Sequence, residues 1–92
     1  MIALLLVEDN PKLRPVLQTG LEATGKGQVI HACESGKRAL RFCLQQPPEA
    51  ILMDVQLAGP MNGIQAAVAI RREFPRLPVV FYSIFSPCYV SL

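Results

Sequence analysis

The sequence predicts an α/β fold of three layers, a parallel sheet between helices, and three observations carry that reading. Short apolar runs at 2–7, 28–33, 50–54 and 79–82 alternate with segments of helical spacing, which gives the order βαβαβαβ. The first run, Ile2-Ala3-Leu4-Leu5-Leu6-Val7, is continuous instead of alternating with polar residues, the pattern of a strand covered on both faces. Composition agrees, because 51% of the 92 residues are hydrophobic and 17% are charged, against about 25% charged in an average domain. A chain this short is one domain. So apolar a chain either buries both faces of its sheet or keeps apolar surface for a partner.

Each element has a local reason. Asn10 caps a first helix, Pro11 suits its first turn, and Leu13, Val16, Leu17 and Leu21 fall on one stripe. Pro15, one turn further in, predicts an irregular start. Gly25 and Gly27 stop this helix, and 28–33 forms the second strand. Ser35-Gly36 opens a second helix with Ala39, Leu40, Cys43 and Leu44 as its buried stripe, and Pro47-Pro48 ends it. The third strand is 50–54. A loop containing Gly59, Pro60, Met61, Asn62 and Gly63 leads to a third helix over 64–74 that presents Ile64, Ala67 and Val68 together. Pro75 and Pro78 bracket its exit, and Val79-Val80-Phe81-Tyr82 is the fourth strand, closing on Ser83.

Right-handed crossovers in this order place helices on both faces of the sheet. Ligands of such sheets sit outside the carboxyl ends of the strands. Glu8, Asp9, Asp54 and Ser83 all fall there, with three of the chain's seven acidic residues among them. Crowded carboxylates need a cation or strongly raised pKa values. The turn after the first strand, Glu8-Asp9-Asn10-Pro11, lacks the glycines of a dinucleotide site, and its charges repel phosphate unless a divalent cation lies between. With Mg²⁺ present, Asp9 and Asp54 each give one hard oxygen ligand, a carbonyl from the loop after the third strand gives another, and Glu8 steers a water. The second oxygen of Asp54 is then free to attack phosphorus and form an acyl phosphate. Ser83 is placed to donate its hydroxyl to a phosphoryl oxygen, as a switch residue.

Several functions are disfavoured. The net charge is only +2 and the nine Lys and Arg residues are scattered, so no direct nucleic-acid binding is expected. Cys33, Cys43 and Cys88 show no C-x-x-C spacing and leave an odd thiol, which fits reduced cysteines in the cytoplasm. The N-terminal apolar run has no basic residue before it and ends in acid, unlike a signal peptide. No segment approaches the about 20 apolar residues of a membrane span. His31 reads as a strand residue, and Phe81 and Tyr82 as core and edge residues.

The combination Leu-Val-Glu-Asp-Asn after the first strand, Ile-Leu-Met-Asp-Val-Gln-Leu-Ala-Gly-Pro-Met-Asn-Gly at the third and Pro-Val-Val-Phe-Tyr-Ser at the fourth resembles the receiver domain of two-component response regulators. The likeness runs from Met1 to about residue 84 and implies a flavodoxin-like three-layer sandwich. It further implies that Asp54 is the phosphoacceptor, Glu8 and Asp9 the acidic pair, and Gln56 the residue whose backbone carbonyl completes the Mg²⁺ ligands. Ser83 takes the family's Ser/Thr switch position, and Gly63 matches a glycine of the loop after the phosphorylated strand. Asn62 stands where the family commonly has Asp. The implied partner is a histidine kinase or a phosphotransfer protein carrying phosphohistidine, and no separate substrate is turned over.

The sequence departs from the family pattern after residue 84. No lysine follows Lys37, whereas a receiver carries one at the end of a fifth strand, where it contacts the phosphoryl group. The expected unit is therefore residues 1–84 without the last helix, strand and helix, followed by a non-matching tail over 85–92. That expectation leaves the fourth strand at a sheet edge. Cys88-Tyr89-Val90-Ser91-Leu92 would replace the fifth strand or pair with a second copy in a homodimer. Two other functional classes stand beside the phosphoacceptor: a phosphorylation-independent interaction or oligomerisation domain, which the missing lysine favours, and an aspartate-nucleophile phosphohydrolase. The latter needs an Asp where Gln56 stands.

Overall fold

Eight elements follow one another in the computed structural model, which describes residues 1–83 and the backbone of 90–91. They are β1 (Ile2–Val7), α1 (Leu13–Ala23), β2 (Gly27–Cys33), α2 (Gly36–Gln45), β3 (Ala50–Asp54), α3 (Gly63–Glu73), β4 (Val79–Tyr82) and β5 (Val90–Ser91). The strands lie in the order β2-β1-β3-β4-β5, with β1 to β4 all parallel. The chain steps from β1 to β2 in one direction and then crosses back over β1 to β3. Right-handed crossovers therefore put α1 on one face and α2 and α3 on the other. The reversal lies between β1 and β3, the point where open α/β sheets hold their ligands.

Register sets which residues share a face. Val7 lies opposite Cys33 on one side and Met53 on the other, and Met53 lies opposite Phe81. Leu5, Val7, Ile51, Met53, Val79 and Phe81 thus form one face and are at most 1% exposed. They pack with Ala39 and Cys43 of α2 and Ala66, Ala67 and Ile70 of α3. Leu4, Leu6, Leu52 and Val80 take the α1 face.

The helix starts follow the sequence with small shifts. The first helix begins at Leu13, later than Asn10 and Pro11 suggest, and Lys12 rather than Asn10 holds the cap position. Asn10 still serves the turn, because its Oδ1 accepts the Lys12 and Leu13 amides at 2.9 and 3.3 Å. Pro15 becomes the third helical residue, where its missing N–H costs no intrahelical bond. Gly25, at φ 73°, ends the helix with its amide on the Glu22 carbonyl. Ser35 caps α2 by accepting the Arg38 amide. Asn62 and Gln65 cap α3 reciprocally, each side chain accepting the other's backbone amide at 2.9 Å.

The buried stripes correct the expected ones. On α3 the packed residues are Gly63, Ala66, Ala67 and Ile70, while Ile64 and Val68 are exposed. Leu44 of α2 and Val16 of α1 also face solvent, and α1 has no fully buried residue. On α2 and α3 the cause is close helix packing. A Cβ on Gly36 would lie 2.7 Å from the Ala66 Cβ, so α2 and α3 meet along their smallest side chains and the larger ones are turned outward.

β4 does not end the sheet. Val90 and Ser91 pair antiparallel with Phe81 and Val80, so the tail supplies a strand along the edge expected to be open. The rest of that tail, residues 84–89 and 92, lies outside the described residues.

Candidate functional site

β1 and β3 are hydrogen-bonded neighbours that stop side by side, Val7 opposite Met53, so the residues that follow them share one edge. There Glu8, Asp9 and Asp54 each bring a carboxylate oxygen to within 4.8 Å of the others. Glu8 is 1% exposed and Asp54 7%, while Asp9 is half-buried. With Asn10, Lys12, Leu13 and Gln56 they line a cleft of about 540 Å³ that opens to solvent. Lys12 is the cation among those lining residues.

Backbone amides fix the acids. Glu8 Oε2 accepts the Asn10 amide and Asp54 Oδ1 accepts the Gln56 amide, each at 2.9 Å. Asp9 Oδ2 accepts the Ala58 amide at 3.0 Å, which ties the end of β1 to the loop after β3 across 49 residues. Glu8 Oε1 accepts the Tyr82 hydroxyl at 2.7 Å. Behind the edge, the Arg14 guanidinium donates to the Glu8 carbonyl. Gly63 lets α3 start directly under Asp54, because a Cβ there would overlap the Asp54 carbonyl oxygen and reach 3.0 Å from the Val55 Cα.

Burial and charge oppose these bonds. Removal from water pushes the Glu8 carboxyl above its usual range, and the nearby Asp54 charge adds to this, while the Asn10 amide and Tyr82 hydroxyl act in the opposite direction. Burial likewise raises the Tyr82 phenol, helped by its bond to Glu8, so Tyr82 stays a proton donor. A divalent cation would relieve the crowding by screening all three carboxylates.

The sequence-predicted residues are placed as follows. Glu8, Asp9 and Asp54 converge and Gln56 joins them on the cleft wall. Ser83 directly follows β4 and is half-buried, but it is not among the cleft's lining residues. His31 lies elsewhere, stacked on Phe42 with ring centroids 4.3 Å apart. Sequence reasoning missed Tyr82 as a site residue and read it as core or edge. The signal available was alternation. Asp54 and Tyr82 are register partners, so Tyr82 shares the parity of Glu8 and Asp54 once the strands are aligned.

Comparison with known proteins agrees with this geometry. Residues 4–89 match the family described as the response regulator receiver domain. A protein-glutamate methylesterase/protein-glutamine glutaminase of Syntrophus aciditrophicus is 35% identical over 90% of this chain and 23% of its own length. The transcriptional regulatory protein LiaR of Bacillus subtilis is 33% identical over 92% of this chain and 40% of its own. This chain thus spans well under half of either relative. Among solved structures, the response regulator domain of Thermotoga maritima CheB superposes with a TM-score of 0.82 at 26% identity, covering 90% of this chain and 60% of that one. A LuxR-family response regulator from Aurantimonas reaches a TM-score of 0.86 at 24% identity, over 91% of this chain and 59% of that one, a likeness of fold.

Proposed function

The chain belongs to the response regulator receiver family of two-component systems, and from that membership we propose that Asp54 accepts a phosphoryl group from a phosphohistidine donor with Mg²⁺ at the acid edge. The observation that carries this reading is the convergence of three carboxylates within 4.8 Å on adjacent strand ends. Hard oxygen donors on two buried side chains and one half-buried one suit Mg²⁺, with the Gln56 carbonyl as a further ligand. When bound, Mg²⁺ supplies the positive charge that lets phosphoryl oxygens approach the carboxylates.

The residues divide the work. Asp9 spends one oxygen on the Ala58 amide and keeps the other for the cation. Asp54 holds Oδ1 on the Gln56 amide, which orients the carboxylate, and Oδ2 is the nucleophile. A lone pair on Oδ2 forms the O–P bond as the N–P bond of phosphohistidine breaks. The electron pair leaves on the imidazole nitrogen, which takes up a proton. Glu8 stays behind the two aspartates and adds charge without joining the transfer. Ser83 donates its hydroxyl to a phosphoryl oxygen once the group is in place.

In this reading the donor is a histidine kinase or a phosphotransfer protein, the module turns over no separate substrate, and it works in the cytoplasm. The receiver unit is residues 1–84 and the tail 85–92 has its own sequence, although the family match reaches into it as far as residue 89. No helix among the described residues is long and apolar enough to cross a membrane. Incubation with acetyl phosphate and Mg²⁺, followed by intact-mass measurement, tests the proposal. A gain of one phosphoryl group that Asp54→Asn abolishes is expected. No gain in the wild-type chain, or a gain that survives the substitution, overturns it.

A further inference from the structure

The Tyr82 hydroxyl is the only side-chain donor recorded on the buried Glu8 carboxylate among the described residues, at 2.7 Å from Oε1. The same residue's backbone carbonyl accepts the Val55 amide at 3.0 Å, immediately after Asp54. Tyr82 therefore grips both strands that carry the acids, β1 through a side chain and β3 through the backbone. Tyr82 is 7% exposed, and its hydroxyl also donates to the Val7 carbonyl at 3.4 Å, so both of its acceptors lie at the end of β1.

From this arrangement we infer that Tyr82 is a positioning residue of the cation site, holding Glu8 in the orientation that the site requires. The inference rests on the metal-dependent reading above. The chemistry is that of an outer partner. A carboxylate that both contributes charge and points a lone pair at the site must not rotate, and a donor on its far oxygen prevents rotation. The Asn10 amide holds Oε2 and the Tyr82 hydroxyl holds Oε1. Each oxygen keeps a further lone pair for the cleft. Tyr82 is also the residue before Ser83, so the donor on Glu8 and the switch position are neighbours in the chain.

The test is Mg²⁺ titration by calorimetry on four versions of the 92-residue chain: wild type, Tyr82→Phe, Glu8→Gln and the double variant. Tyr82→Phe keeps the ring, and its cooperative urea transition is checked in the metal-free state. Loss of such an outer partner weakens metal binding about 10- to 100-fold, and that is the expected effect in the wild-type background. In the Glu8→Gln background the same substitution is expected to change the affinity little, because the group it positions is gone. A role confined to packing would lower stability in both backgrounds and leave Mg²⁺ affinity unchanged. Tyr82→Phe binding Mg²⁺ as tightly as wild type, or an equal loss in both backgrounds, overturns the inference while the receiver reading survives. A wild-type chain that binds no Mg²⁺ overturns both.

Discussion

The two faces of the sheet are built to different standards. On the face covered by α2 and α3, six strand residues are at most 1% exposed and the helices meet through Gly36 and Ala66. On the α1 face Leu6 is fully buried, but Leu4 and Leu52 are half-buried, Val80 is 39% exposed, and α1 contributes no fully buried residue. Both faces read as equally apolar in sequence. Three residues of the site belong to the thinner one. Glu8, Asp54 and Tyr82 each come two positions after Leu6, Leu52 and Val80, so period-two alternation puts them on the α1-face rows of the sheet. The dense face carries stability, and the other carries these three polar side chains at the ends of its rows.

Substitutions can break or sharpen this contrast. Phe81→Ala empties the centre of the dense face and is expected to cost about 3–5 kcal/mol, read as a large fall in the urea midpoint; a loss comparable to a surface change would show that the two faces are alike. Asn62→Ala removes half of the reciprocal cap that starts α3 under Asp54 and is expected to cost about 1 kcal/mol, measured in the same way. Val16→Gln on α1 is expected to fall within about 0.5 kcal/mol of wild type, because Val16 is 64% exposed despite its place on the apolar stripe. If Val16→Gln cost as much as Asn62→Ala, α1 would be packed far more tightly than its exposure indicates.

Strand positions and the acid cluster were legible in the sequence because they depend on local runs and on the rule that ligands meet carboxyl ends. β3 falls on the expected residues, 50–54, and Glu8, Asp9 and Asp54 converge as their strand-end positions require. Helix faces were less legible. Ile64 and Val68 satisfy helical spacing on α3 as well as Ala67 does, but the close approach of α2 admits only small side chains, a constraint written in a different helix. The role of Tyr82 was hidden for a related reason. An aromatic residue in a four-residue strand reads as core, and only the register with Asp54 and the placing of Glu8 turn its hydroxyl toward an acid. The antiparallel sense of β5 had no local signal, since two residues fix no direction.

The stacking of His31 on Phe42 has a spectroscopic use. His31 is the chain's one histidine, and its ring lies 4.3 Å from Phe42 and within 8° of parallel, joining β2 to α2. The chain therefore gives a single set of imidazole ring-proton resonances, displaced by the current of the neighbouring ring. They form an internal gauge of whether β2 and α2 remain docked, separate from the carboxylates at the sheet's end. Perturbation of the acid edge by metal, phosphoryl group or substitution leaves that gauge still when the change is local, and moves it when the helical layer shifts as a body.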